Sequence, residues 1–252
     1  RSVLRLSGEH EFIVPPLNLP DRVRVPSPDR LGYYEAVRLF VERVQTIRPD
    51  FELTEANASA VVEICHRLDG LPLAIELAAA RCKLFPPAAL LDRLSSPLAI
   101  LTGGARDLPE RQQTLRATIE WSYNLLSAAE QMLFMRMAVF VGSCALEAIE
   151  TVCASQSPAP VLDELASLVD KSLIRQVEGT GGETRLLMLE TIRQYALERL
   201  VASDEAPALQ RRHADYYLAV AGAAEATQRW TKQSSWLARV EMAHDNLRTA
   251  LE

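Results

Sequence analysis

Within residues 65 to 81, CHRLDGLPLAIELAAAR, one amphipathic helix must stop and another must start with almost no chain between them. Gly70 offers the positive φ that a helix C-terminus commonly adopts, and Pro72 suits the first turn of the next helix, where a missing N–H costs nothing. Two helices therefore share a tight corner. The start of the second also gathers unpaired N–H groups and partial positive charge, the chemistry of an anion or nucleotide contact. Gly-x-Pro punctuates many chains, so local chemistry alone favours a plain helix-turn-helix bend.

Composition extends the helical reading to the whole chain. The sequence has 252 residues, 48% of them hydrophobic, with 10 glycines and long Ala/Leu/Glu/Arg-rich runs. That is enough apolar material for one large core or two to three small ones, and it favours a mostly α protein. The net charge of -6 opposes a chain that coats phosphate backbone, which needs a concentrated excess of Lys and Arg. Cys65, Cys82, Cys144 and Cys153 form no CxxC pair of the kind zinc or redox sites use, and Cys144 and Cys153, on or beside one short helix, read as core residues. No signal peptide and no apolar run of about 20 residues occurs, so the cytoplasm is the expected compartment. The first residue is Arg, and HDNLRTALE runs to the last with its helical pattern unbroken. Both ends read as cut from a longer protein.

Taken in order, residues 1–29 hold a short alternating stretch, Glu11-Phe12-Ile13-Val14, then prolines at 15, 16, 20, 26 and 28. This reads as one strand and a stiff extended connector, the tail of a preceding domain. Residues 30–103 hold four short helices. Ala36, Val37, Phe40, Val41, Val44 and Ile47 mark the first, and Thr54 caps a second with Val61, Ile64, Cys65 and Leu68 inward. Pro72 opens a third with Leu73, Leu77, Ala80 and Leu84 inward, and Leu90, Leu91 and Leu94 mark a fourth. Such brief connections predict a compact bundle. His66 reads as an exposed helix histidine, since no second ligand stands at metal spacing. Glu76, Arg81, Arg67 and Asp69 are candidates for charge pairs around the corner.

Gly103-Gly104 to Pro109 is a turn-rich break that opens a second domain, 104–202. Leu115, Ile119, Tyr123 and Leu126 share one helix face, and Ser127-Ala-Ala-Glu130 is a capping box for the next helix. Further helices are predicted from Ala145 to Cys153 and from Val161 to Lys171. The period then changes, and Leu173 to Glu178 and Arg185 to Leu189 around Gly-Thr-Gly-Gly read as a hairpin, followed by a helix from Glu190 to Leu200. Helices closed by a β-hairpin make a winged-helix domain. Residues 203–252 read as a helical pair opening an arm, with Trp230 and Trp236 between its helices.

Several runs resemble, in order, the regulatory half of bacterial STAND/NB-ARC-type signalling ATPases, the large LuxR-associated and Streptomyces-regulator type activators. They are Gly-Leu-Pro-Leu-Ala after a helix, Thr-Leu-Arg-Ala-Thr-Ile-Glu-Trp-Ser-Tyr123, Leu133-Phe134 with Ala138-Val139-Phe140, and Met188-Leu189-Glu190 before Arg193-Gln-Tyr-Ala196. The resemblance covers nearly the whole chain and implies ARC1-like and ARC2-like domains leading into sensor repeats. It implies that Gly70 and Pro72 face the adenine of ATP or ADP, and that Arg1 stands where the family senses the terminal phosphate. It also implies that Met188, Leu189 and Glu190 occupy the family's Met-His-Asp switch, where Leu189 cannot donate the hydrogen bond its His makes. ATP or ADP with magnesium would then be the cofactor of the parent protein. The implied partners are a P-loop domain and the downstream repeats, with self-oligomerisation on activation.

Two further readings belong to other classes. A winged helix suggests DNA binding through Val161 to Lys171, but Asp163, Glu164 and Asp170 outnumber Lys171 there. The wing sets Arg175 and Arg185 against Glu178 and Glu183. The chain alone is therefore expected not to bind nucleic acid. An enzyme is not expected either: no Ser/His/Asp or Cys/His grouping stands out among histidines 10, 66, 213 and 244, and no G-x-x-x-x-G-K-[ST] occurs.

Overall fold

The computed structural model describes residues 8, 10, 12, 14–22, 24–94, 97–101, 109, 113–153, 161–179, 183–227 and 233–251, the side chains of 223–239 excepted. Arg1, two residues of the expected Glu11–Val14 strand, the Gly103-Gly104 break, the tip of the Gly-Thr-Gly-Gly loop and Trp230 lie outside the described residues, as does the side chain of Trp236. The chain is mostly α, as its composition requires, and it divides into two compact units, Leu6–Asn124 and Leu125–Glu252.

The first unit contains α1 (Pro28–Leu31), α2 (Glu35–Ile47), α3 (Glu55–Arg67), α4 (Pro72–Arg81), α5 (Pro87–Arg93), α6 (Pro97–Ile100) and α7 (Leu115–Asn124). Helix α2 buries Ala36, Val37, Phe40 and Val44, four of the six positions its 3.6-residue period picks out, while Val41 is half-buried and Ile47, its last residue, is exposed. Helix α3 starts at Thr54, whose amide is held by the Asn57 carboxamide at 2.8 Å, and buries Val61, Ile64 and Cys65. Each fully buried Phe or Ile contributes roughly 2–3 kcal/mol of transfer free energy, which suits a bundle built on short helices. Helix α4 departs from its expected face. It buries Ala74, Ile75, Leu77, Ala78 and Ala79, while Leu84 is 70% exposed. The reason is that α4 packs against both α2 and α7 and so needs a wide band of small side chains, and that it ends at Arg81, before Leu84. Helix α7 belongs to this unit, and the amide of Leu115 donates to the carbonyl of Leu101 at 3.2 Å.

The second unit contains α8 (Ala128–Met137), β1 (Ser143–Ala145), α9 (Leu146–Cys153), α10 (Val161–Asp170), β2 (Arg175–Glu178), β3 (Thr184–Leu187), α11 (Glu190–Val201), α12 (Ala206–Thr227) and α13 (Gln233–Ala250). The capping box forms as the sequence suggests: the Ser127 hydroxyl accepts from the Glu130 amide at 3.3 Å, and a Glu130 carboxylate oxygen accepts from the Ser127 amide at 2.7 Å. The hairpin also forms, with Arg175 opposite Leu187 and Glu178 opposite Thr184. A third strand, β1, joins it in the order β1-β3-β2, with Ser143 opposite Leu187. Three residues are too few to show a period, and β1 exists because β3 pairs with it. Helix, short strand, two helices and a two-stranded wing make this a winged helix-turn-helix domain. No helix among the described residues is long and apolar enough to cross a membrane.

All four cysteines are free thiols in the cores. Burial pushes Cys65 and Cys144 up to about 12 and Cys82 to about 11, and it raises Cys153 as well. Thiolate is the reactive form, so at neutral pH an aromatic disulfide reagent should label the folded chain slowly at every cysteine and label all of them at once in denaturant. Rapid stoichiometric labelling of native protein would contradict these cores.

Candidate functional site

The Gly70 corner is built by two consecutive residues with positive φ, Asp69 at 54° and Gly70 at 65°. The Gly70 amide reaches back to the Cys65 carbonyl at 3.1 Å, closing α3, and α4 begins on Leu71 and Pro72. Pro72 occupies the first turn, as expected, and its ring is exposed; Leu71 is half-buried.

The extended connector lies along this corner. The Leu17 amide donates to the Gly70 carbonyl at 3.0 Å, and the Ala36 amide donates to Asn18 O at 3.3 Å. His66 corrects its expectation as an exposed histidine: it is half-buried, and its Nε2–H donates to Pro20 O at 2.7 Å. Arg22 completes the strap through Glu63, with Nη2 to Oε1 at 2.9 Å and Nε to Oε2 at 3.2 Å. A Cβ on Gly70 would stand 2.5 Å from Leu17 O. The glycine thus serves two ends, a left-handed backbone and the close passage of another main chain. The anticipated charge pairs are redistributed: Glu76 binds Arg43 at 2.8 Å, Arg67 donates to Leu91 O at 3.0 Å, and Arg81 donates to Ile100 O at 2.9 Å.

In the second unit the helix that would enter a DNA groove is α10. Its exposed positions include Leu162, Asp163 and Ala166, and Leu165 and Leu168 face inward. Lys171, the base nearest to it, is committed elsewhere. Its Nζ donates to both Glu130 oxygens at 2.7 and 2.8 Å and to Ser167 Oγ at 2.9 Å, and Ser167 Oγ itself donates to Glu130. Burial alone would raise the Glu130 carboxyl. Hydrogen bonds from Lys171, Ser167 and the Ser127 amide, together with the Lys171 charge, outweigh it and hold the group at about 2.

The wing is similarly spent. Arg185, counted from sequence as a wing cation, is 6% exposed. It donates to Ser143 Oγ at 3.1 Å, Ser143 O at 2.8 Å and Met242 O at 3.3 Å, leaving Arg175 as an exposed wing arginine. Arg136, 8% exposed, forks onto Glu205 at 2.7 and 2.9 Å and donates to Cys153 O at 3.2 Å.

Met188, Leu189 and Glu190 lie where β3 passes into α11. Met188 is buried, Leu189 is the N-cap residue, and Glu190 binds Arg193 at 2.7 and 2.9 Å. Arg193 in turn donates to Ala138 O at 3.1 Å, tying this junction to the end of α8. Arg1 lies outside the described residues. The Leu17–Gly70 bond, the Arg136–Glu205 fork and the Asn246–Val141 bonds escape sequence reading, because each joins residues 53 to 105 positions apart.

A winged helix-turn-helix domain family matches residues 126–201. Proteins of Mycobacterium bovis and Mycobacterium tuberculosis, each titled "Putative HTH-type transcriptional regulator", are 43% identical over 252 residues, 99% of this chain and 27% of theirs. An "Uncharacterized protein" of Mycobacterium tuberculosis is 39% identical over 211 residues, 82% of this chain and 50% of its own length. The chain therefore spans about a quarter of the first relatives it resembles.

Two stability predictions follow from these contacts. Gly70→Ala meets both a positive φ and Leu17 O, and should destabilise the first unit by about 2 kcal/mol or more, read as a lowered denaturant midpoint. Glu130 has a folded pKa below its ordinary 4.5, so its contribution is complete above 4.5 and is lost as pH falls toward 2. Glu130→Gln should cost roughly 2 kcal/mol at neutral pH, since it strands a half-buried Lys171, and the gap from wild type should narrow on acidification. A gap independent of pH between 6 and 3 would remove the carboxylate from the account.

Proposed function

We propose that this chain is the regulatory middle segment of an ATP/ADP-dependent switch in a bacterial transcriptional regulator, passing nucleotide state between a P-loop domain and a helical sensor region. Its winged helix acts as a relay and not as a reader of DNA. The observation that carries the relay half is the pairing of Lys171 with Glu130, which leaves α10 an outward face of Leu162, Asp163 and Ala166. A groove-entering helix needs bases toward phosphate, and an acidic one is repelled.

The nucleotide half is supported by the order of the motifs and by the corner itself. The exposed Pro72 ring and half-buried Leu71 fit an apolar contact with a base. They hold no charge for phosphate, and the sequence lacks G-x-x-x-x-G-K-[ST], so phosphates and magnesium belong on another domain. The Gly70 side of the corner is filled by the strap, which confines the contact to Pro72 and the first turn of α4. Met188 and Leu189 would act as a packed lock and not as a phosphate sensor.

A second reading, a DNA-binding module, is favoured by the winged helix-turn-helix match over 126–201 and by the titles its relatives carry. Fluorescence anisotropy with random duplex at low salt separates the two. The relay predicts no binding in the micromolar range, whereas a DNA reader binds and weakens steeply as salt rises. Calorimetry should likewise give no micromolar affinity for ATP or ADP, and a micromolar isotherm would show that the chain holds nucleotide without a P-loop.

A further inference from the structure

Strand β1 is the outer strand of its sheet, with β3 on one side only. Two residues before it, at Val141, a single side chain holds the incoming chain. Asn246 of α13 is fully buried; its Oδ1 accepts the Val141 N–H at 2.8 Å, and its Nδ2 donates to Val141 O at 2.8 Å and Ser143 O at 3.4 Å. Val141 N–H can only donate and Val141 O can only accept, so the backbone fixes which way the carboxamide points. The amide offers what a peptide group would, and it anchors the segment that leads into β1.

Two further contacts make this a joint and not an isolated bond. His213 of α12 donates from Nε2 to the same Oδ1 at 3.2 Å, with its ring packed between Phe140 and Tyr217 at centroid distances of 5.4 and 4.7 Å. Arg185 of wing strand β3 donates to Met242 O, one turn before Asn246 on α13, and to Ser143 O. Helix α13 is thus held to β1 and β3 at once, and the Arg136–Glu205 fork fixes the connection where α12 begins.

We infer that Asn246 and Arg185 form a latch that makes α12–α13 and the wing one mechanical element, so that displacement of α13 moves β1 and β3 instead of being absorbed between α11 and α12. A buried carboxamide is costly with its partners half made, so the latch favours fully closed or fully open over intermediate positions. The inference does not rest on the nucleotide reading, because every contact lies in the second unit.

Residue-resolved amide hydrogen exchange on the full chain tests it, comparing wild type with Asn246→Ala and Asn246→Leu, the latter filling the space without the hydrogen bonds. The latch predicts that in both variants the Val141 amide exchanges roughly tenfold faster, as expected for loss of one buried hydrogen bond, with a parallel rise in β3. The amides of α10 keep wild-type protection. Unchanged exchange at Val141, or loosening of α12–α13 with β3 unaffected, overturns the inference. So does loss of α10 protection along with the rest in both variants, since the helical pair would then be one indivisible core with the winged helix.

Discussion

The Glu130 carboxylate is the point through which the second unit is organised. As the third residue of α8 it caps that helix through the Ser127 amide, and it receives Lys171 and Ser167 from α10. One group thereby fixes the start of one helix and the position of the next, and a half-buried anion with this many donors tolerates no loss among them. The functional consequence is indirect. Orientation of α10 is secured with the one lysine that could have faced a phosphate, so structural need and DNA reading compete for the same charge.

The other cations of this unit show the same preference. Arg136, Arg185 and Arg193 each direct guanidinium hydrogens at backbone carbonyls, of Cys153, Ser143 with Met242, and Ala138 respectively. A guanidinium supplies several donors in a fixed plane and so can hold carbonyls of different elements together. Counting Lys and Arg along the sequence therefore overstates what a domain offers to a polyanion. Arg185 shows the error, since it stands beside an exposed wing in sequence and is buried in space.

Legibility followed range. Helices α2 and α3, the capping box at Ser127 and the hairpin were readable because each rests on residues within one or two turns of each other. The corner at Gly70 was readable for half of its reason: positive φ is a local requirement, but close approach to Leu17 belongs to a contact across 53 positions. His66 was misjudged as exposed for the same cause, its partner being the Pro20 carbonyl of the strap. Strand β1 was missed because its pairing partners are 40 to 44 residues away and three residues carry no alternation. The α4 face was misassigned because periodicity assumes one buried side and α4 is covered on two.

The corner and the latch share a physical principle. At Gly70 a main chain is admitted by removing a side chain; at Asn246 the segment leading into β1 is held by adding one with peptide-like hydrogen bonding. Both satisfy backbone groups that would otherwise be buried alone, and both give a loosely connected segment a fixed position on its unit. Substitution at either site removes a backbone partner and not just apolar area. The damage should therefore appear first as local loss of amide protection, at Leu17 in one case and Val141 in the other, before the cores themselves give way. Rigid attachment of this kind determines which neighbouring element moves when either segment is displaced.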